Sequence, residues 1–208
     1  IGYRLVGSEM CIRDRSMLFI TLGPSGTNHE FVTQNYLRFR KLKDADIKLI
    51  DNFFFGLEMM ADGRADYMVQ AAVHPDCSDL VAKAHFLYGI SVVDTFISPG
   101  KQLALLSRVD IKKPRRVAFH PATRHYVSLE DWEEHIPVNS TIHVAEGLLS
   151  GAYDSGITFL DIAEKHSTKL RVEIKIGTVD DPWIVYGKQD VFNGEIIAAP
   201  SASLYDST

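Results

Sequence analysis

The chain has 208 residues, a formal net charge of -5, 46% hydrophobic and 24% charged residues. That length suits one large domain or two small lobes, with a core that needs no disulfide staples. The composition is that of a globular protein, and the acidic balance excludes the basic face of a nucleic-acid binder. No stretch approaches the roughly 20 apolar residues of a membrane span.

Residues 1–15, "IGYRLVGSEMCIRDR", form no apolar signal-peptide region because charges interrupt them. They look like translated sequencing-adapter DNA, so the expectation is that 1–16 is an artefactual or disordered extension and that the natural chain starts at Met17. Cys11 falls in that extension, and Cys77 sits in no CxxC pair. A reducing compartment, the cytoplasm, is expected.

From Met17 onward, strand and helix patterns alternate. "MLFITL" (17–22), "DIKLI" (46–50) and "DYMVQAAV" (66–73) read as strands. Helices at 28–40 and 52–65 separate them, and this rhythm implies a parallel sheet with crossover helices. Two long strands, 90–98 and 101–107, flank Pro99-Gly100. A second series follows: a strand at 115–120, a helix near 122–135, a helix at 141–151, a strand at 155–160 and a short helix at 161–167. The last strands are 170–177 and 182–188. The pattern is α/β with two lobes: 17–99 plus 178–200 forms the first, and 100–177 is inserted in it as the second. Two lobes joined by paired crossings enclose a cleft, a common place for a small ligand.

"LGPSGTNHEF" (22–31) joins a strand to a helix through two glycines. Ser25, Gly26, Thr27 and Asn28 offer donors for an anion at a helix N-terminus. Thr27 and Glu30 also fit a capping box, in which the helix satisfies itself; the two readings are compatible. His120 and Arg124 in "HPATRH" follow a strand, where ligands of parallel sheets gather. A histidine there can transfer a proton and an arginine can clamp a carboxylate, or the two can cap a helix and face solvent. Ser140 and Thr141 start another helix, as anion donors or as plain caps. Thr158 lies at a strand end. Gln70 and His74 follow the third strand, and His74 precedes Pro75, which makes it extended. Trp183 is an apolar wall for a ring or simply core. His29, His143 and His166 lie in helices without a second ligand at metal spacing, and no metal site is expected. Neither GxGxxG, a P-loop nor Ser-His-Asp order occurs, so no nucleotide cofactor is expected.

"TLGPSGTNHEF" (21–31) resembles the start of prephenate dehydratase catalytic domains, which carry a strand and a Gly-Pro-x-Gly-Thr turn. "FHP" (119–121), "NST" (139–141) and "GITFLDIAEKH" (156–166) extend the resemblance in the expected order. It implies a two-lobed fold of the periplasmic-binding-protein type II kind, an active site between the lobes, and a dimer. It also differs. "DDPWIVYGK" (180–188) stands where dehydratases have Thr-Arg-Phe, "QAAVHPDCS" (70–78) where they have Glu-Asn-Ser, and no regulatory ACT domain is expected. The "W..YGK" ending looks more like the divergent branch with the non-aromatising prephenate decarboxylases of bacilysin-type pathways, although Ala71 stands where that branch has a histidine. The resemblance implies a cofactor-independent lyase for prephenate or a similar dicarboxylate. His120 and His74 are then its acid candidates, and Ser25, Gly26, Thr27, Asn28, Gln70, Arg124, Ser140, Thr141, Thr158 and Trp183 its substrate-binding candidates. Dehydration to phenylpyruvate and plain carboxylate binding are the alternatives.

Overall fold

The computed structural model describes residues 16–188. The expected extension, with Cys11, and the expected return over 189–200 lie outside them. Among the described residues, ten strands and five α-helices alternate in the order β1 (Met17–Leu22), α1 (Asn28–Phe39), β2 (Ala45–Ile50), α2 (Phe53–Ala61), β3 (Tyr67–Ala71), α3 (Cys77–Tyr88) and β4 (Ser91–Pro99). Then come β5 (Leu103–Arg108), β6 (Arg116–Phe119), β7 (Glu134–Pro137), α4 (Thr141–Ser150), β8 (Ser155–Phe159), α5 (Leu160–Lys165), β9 (Leu170–Gly177) and β10 (Asp180–Gly187).

The strands form two five-stranded sheets, ordered β2-β1-β3-β10-β4 and β7-β6-β8-β5-β9. β1, β2 and β3 run parallel, and β10 enters antiparallel between β3 and β4. The second sheet is complete between β4 and β10. The fold is therefore α/β, of the two-lobed periplasmic-binding-protein type II kind, with the second lobe inserted in the first.

Each sheet is covered on both faces, which explains why the central strands read as unbroken apolar runs. On one face of the first sheet, Ile20, Met68 and Tyr186 pack with Phe53, Leu57 and Met60 of α2 and Leu80 of α3. On the other, Phe19, Val69, Trp183 and Val185 pack with Val32, Tyr36 and Leu37 of α1. In the second lobe Ala104, Leu106 and Ala118 meet Val144 and Leu148 of α4, while Leu105, Val117 and Ile157 meet Leu129 on the opposite side. Each large buried side chain contributes about 1.5–3 kcal/mol relative to exposure.

One expectation fails locally, and one helix has none. The helix near 122–135 is a single 3₁₀ turn, Pro121–Thr123, followed by loop and by β7. Leu129 and the partly buried Trp132 there pack on the sheet without helical backbone, so apolar residues alone misled. Helix α3 carries no matching expectation, because only Leu80 and Ala84 of its twelve residues are buried and its apolar stripe is thin. No described helix is long and apolar enough to cross a membrane.

Candidate functional site between the lobes

The chain leaves β1 at Leu22, passes a cis Gly23–Pro24 peptide and enters α1 after Gly26, whose φ of 87° suits glycine. Glu30 reaches back to this turn and accepts from Ser25 Oγ (2.9 Å) and from the Gly26 amide (2.5 Å). The expected capping box is thus displaced toward the turn. Thr27 is the N-cap by position, but its hydroxyl donates to Leu22 O (3.3 Å) and caps no amide. The first amides of α1 receive no side-chain cap, and their partial positive charge is open to an anion.

Asn28 ties the first turn of α1 to the crossing between the lobes. Its Oδ1 accepts from the Lys101 amide (2.9 Å). Gly100 permits this approach, since a Cβ there would lie 2.8 Å from Asn28 Nδ2. Lys101 Nζ donates to Gly26 O (3.1 Å), lies 3.6 Å from Asp161 and sits 4.1 Å over the Phe159 ring. Across the cleft, Ser140 Oγ accepts from His143 N (3.1 Å) and caps α4. The two helix starts nearly touch: a Cβ on Gly26 would lie 3.3 Å from Ile142 Cδ1.

Between these elements lies a cavity of about 180 Å³. That is below the ~300–1,000 Å³ of typical ligand pockets and suits a small molecule. Among the sequence candidates, Thr27, Asn28, His74, His120, Ser140, Thr141 and Trp183 line it. Ser25, Gly26, Gln70, Arg124 and Thr158 do not. Ser25 and Gly26 are held by Glu30. Gln70 is fully buried and accepts from Tyr186 Oη (2.7 Å), because strand alternation turns it to the side opposite Ala71, which lines the cavity. Arg124 lies over the Phe119 ring at 5.7 Å. Thr158 is buried and donates to Thr141 O (2.6 Å), which locks the start of α4 to β8.

Sequence reasoning missed four titratable lining residues: His29, Lys101, Tyr126 and Asp181. His29 carries no usable spacing to His74 or His120; only the fold brings it within 6.1 Å of the His74 ring and 5.1 Å of Trp183. Asp181 was detectable. Val179, Asp181 and Trp183 all line the cavity, and their two-residue period is that of extended chain.

The three histidines stay neutral at ordinary pH. Burial, then the neighbouring His74 and His120, push His29 down to about 3. Burial lowers His74 despite Asp76, and burial followed by His74 lowers His120. His74 Nδ1 accepts from Asp76 N (3.3 Å) and His120 Nδ1 from Ala122 N (3.3 Å). Both imidazoles therefore carry their proton on Nε2, a hydrogen-bond donor left for a ligand. Among the described residues no group of three or more His, Cys, Asp or Glu is placed to hold a metal ion.

The cavity thus joins two helix N-termini, one ammonium, two imidazole donors and an apolar wall of Trp183 and Phe159. Such a lining can hold a small carboxylate with a ring.

No family model matches the chain, and no curated protein matches it. Solved structures do. A prephenate dehydratase from Arthrobacter aurescens in complex with L-Phe is 20% identical with a TM-score of 0.63, over 86% of this chain and 63% of that one. The prephenate dehydratase from Staphylococcus aureus is 19% identical with a TM-score of 0.56, over 84% and 67%. An ABC transporter from Parabacteroides distasonis is 16% identical with a TM-score of 0.51, over 83% and 66%. The chain spans about two thirds of the length of these structures, and at such identities the likeness is one of fold.

Proposed function

We propose that the chain is a cofactor-independent carbon–carbon lyase acting on prephenate or a similar small dicarboxylate, and that it removes the ring carboxylate without aromatisation. The observation that carries this reading is the pairing of the two facing helix starts with the Trp183 and Phe159 wall. A dianion with a ring matches that pairing, and the prephenate dehydratase-like motif at 21–31 contributes the first helix start. The departure at 180–188, where Thr-Arg-Phe is missing, favours loss of carbon dioxide over loss of the ring hydroxyl.

In this reading the α1 and α4 amides, Thr27, Ser140 and Thr141 hold the side-chain carboxylate. The low-dielectric wall leaves the departing carboxylate poorly solvated. When its bond to the ring breaks, the electron pair moves into the diene and the far carbon takes a proton. In this reading neutral His74 and His120, each with its proton on Nε2, hydrogen-bond the substrate. Cytoplasmic action and a homodimer belong to the same proposal; size-exclusion chromatography with light scattering checks the second.

Incubation of the full chain with prephenate tests the reaction. The expected product has lost carbon dioxide and kept its ring hydroxyl, as read by mass spectrometry and NMR. Phenylpyruvate would instead establish dehydration, and unchanged prephenate that raises the melting temperature would establish binding alone.

A further inference from the structure

The cavity wall holds one acidic group that the anion-holding residues leave unexplained. Asp181 shares the cavity-lining face of the 179–183 stretch with Val179 and Trp183. Its backbone is fixed by antiparallel pairing with Ser98 of β4. Its carboxyl makes no hydrogen bond or ion pair with any described residue. Lys101, the ammonium on the same wall, is engaged with Gly26 O and Asp161 instead. Tyr126 approaches from the second lobe; burial and then Asp181 raise its pKa. His29, His74 and His120 complete the titratable lining, and Asp180 adjoins Asp181 on its own strand. Burial, and after it Asp180, raise the Asp181 pKa, and a dianion bound beside it raises it further. An anion-binding cavity that also carries an unpaired carboxyl gains by keeping that carboxyl protonated.

We propose that Asp181 is the catalytic acid of this cavity, delivering a proton to a ring carbon of the bound dicarboxylate. This rests on the lyase reading above. The bond between the ring carbon and its carboxylate breaks, and carbon dioxide leaves. The electron pair shifts through the diene, and the far carbon forms a C–H bond with the Asp181 proton. The resulting carboxylate regains a proton from water, so no oxidant, reductant or further reactant is needed. A general acid must hold its proton, so turnover falls as pH rises through the raised Asp181 pKa.

The test compares the full chain with Asp181→Asn and Asp181→Glu, using prephenate and following kcat, KM, the pH profile and equilibrium binding. Asn should lower kcat by about 100-fold or more, the usual range for a lost general acid. KM and Kd should stay level or fall, because a carboxyl facing a dianion has gone. The high-pH fall of the rate should vanish from the residual activity, and Glu should recover part of kcat. An active wild type beside an Asn variant with unchanged kcat and pH profile overturns the assignment and leaves the lyase reading standing. Loss of binding together with activity in the Asn variant, with circular dichroism unchanged, also overturns it by showing a positioning role. Prephenate left intact by the wild type overturns both.

Discussion

A histidine ringed by Phe53, Trp183 and His74 has poor surroundings for a positive charge, and His29 is such a residue. It accepts the Ala71 N–H at 3.5 Å, which only the neutral ring can do. With a folded pKa of about 3 against 6.5 for the free side chain, the unfolded chain binds more protons between those values. Stability is therefore fully present above pH 6.5 and falls as pH drops through that window, with His74 and His120 acting in the same direction. Melting temperatures recorded from pH 7.5 to 4.5 should decline, and His29→Gln should flatten the decline. A second residue-scale prediction concerns Asp154. It accepts the Arg115 and Arg116 amides (2.9 and 3.0 Å) and the Arg116 guanidinium (3.0 Å) at the start of β6. Asp154→Ala leaves these donors unmatched and should cost about 1–3 kcal/mol in urea unfolding. At this scale the sequence was partly legible. The Thr27–Glu30 spacing announced a helix start, but the atoms Glu30 reaches depend on the glycine turn before it. Asp181 was visible as strand period, whereas His29 and His74 meet only through the fold.

Elements were legible wherever one periodic pattern met one environment. β5 reads LALLSR because it lies between β8 and β9 with both faces covered, and it was expected within two residues. α4 was expected at 141–151 and spans Thr141–Ser150, since Ser140 caps one end and Gly151, at φ 85°, closes the other. The segment 122–135 defeated the same reasoning because its apolar residues reach the core from loop. Packing between elements was not legible at all, and Gly156 is an example. A Cβ there would lie 2.3 Å from Val144 Cγ1 and 3.1 Å from Ala118 O, so its absence lets α4 lie against β8. Gly156→Ala should destabilise by about 1–3 kcal/mol in urea unfolding, the usual cost of overpacking. It should also weaken binding of the proposed dicarboxylate, because the start of α4 lines the cavity.

At the scale of the molecule, the two-lobed α/β plan followed from alternating strand and helix patterns and from the paired crossings. The cavity's charge balance did not, because it is assembled from both lobes. That balance predicts linked proton uptake. If the proposed dicarboxylate enters beside His74, His120 and Asp181, it stabilises their protonated forms, so its binding near pH 6 should take up protons and tighten as pH falls. Calorimetry in two buffers of different ionisation enthalpy reads the uptake directly. The place of β10 has a different consequence. It is the last described strand in chain order, yet it lies inside the first sheet between β3 and β4. During synthesis, every strand of the second sheet emerges before β10 does. The inserted lobe can therefore fold on the ribosome while the first waits open, with β3 and β4 lacking the strand that joins them. A nascent chain arrested with Gly177 just emerged should show a protease-resistant second lobe and a cleavable first, and release of β10 should close the molecule and its ligand site together.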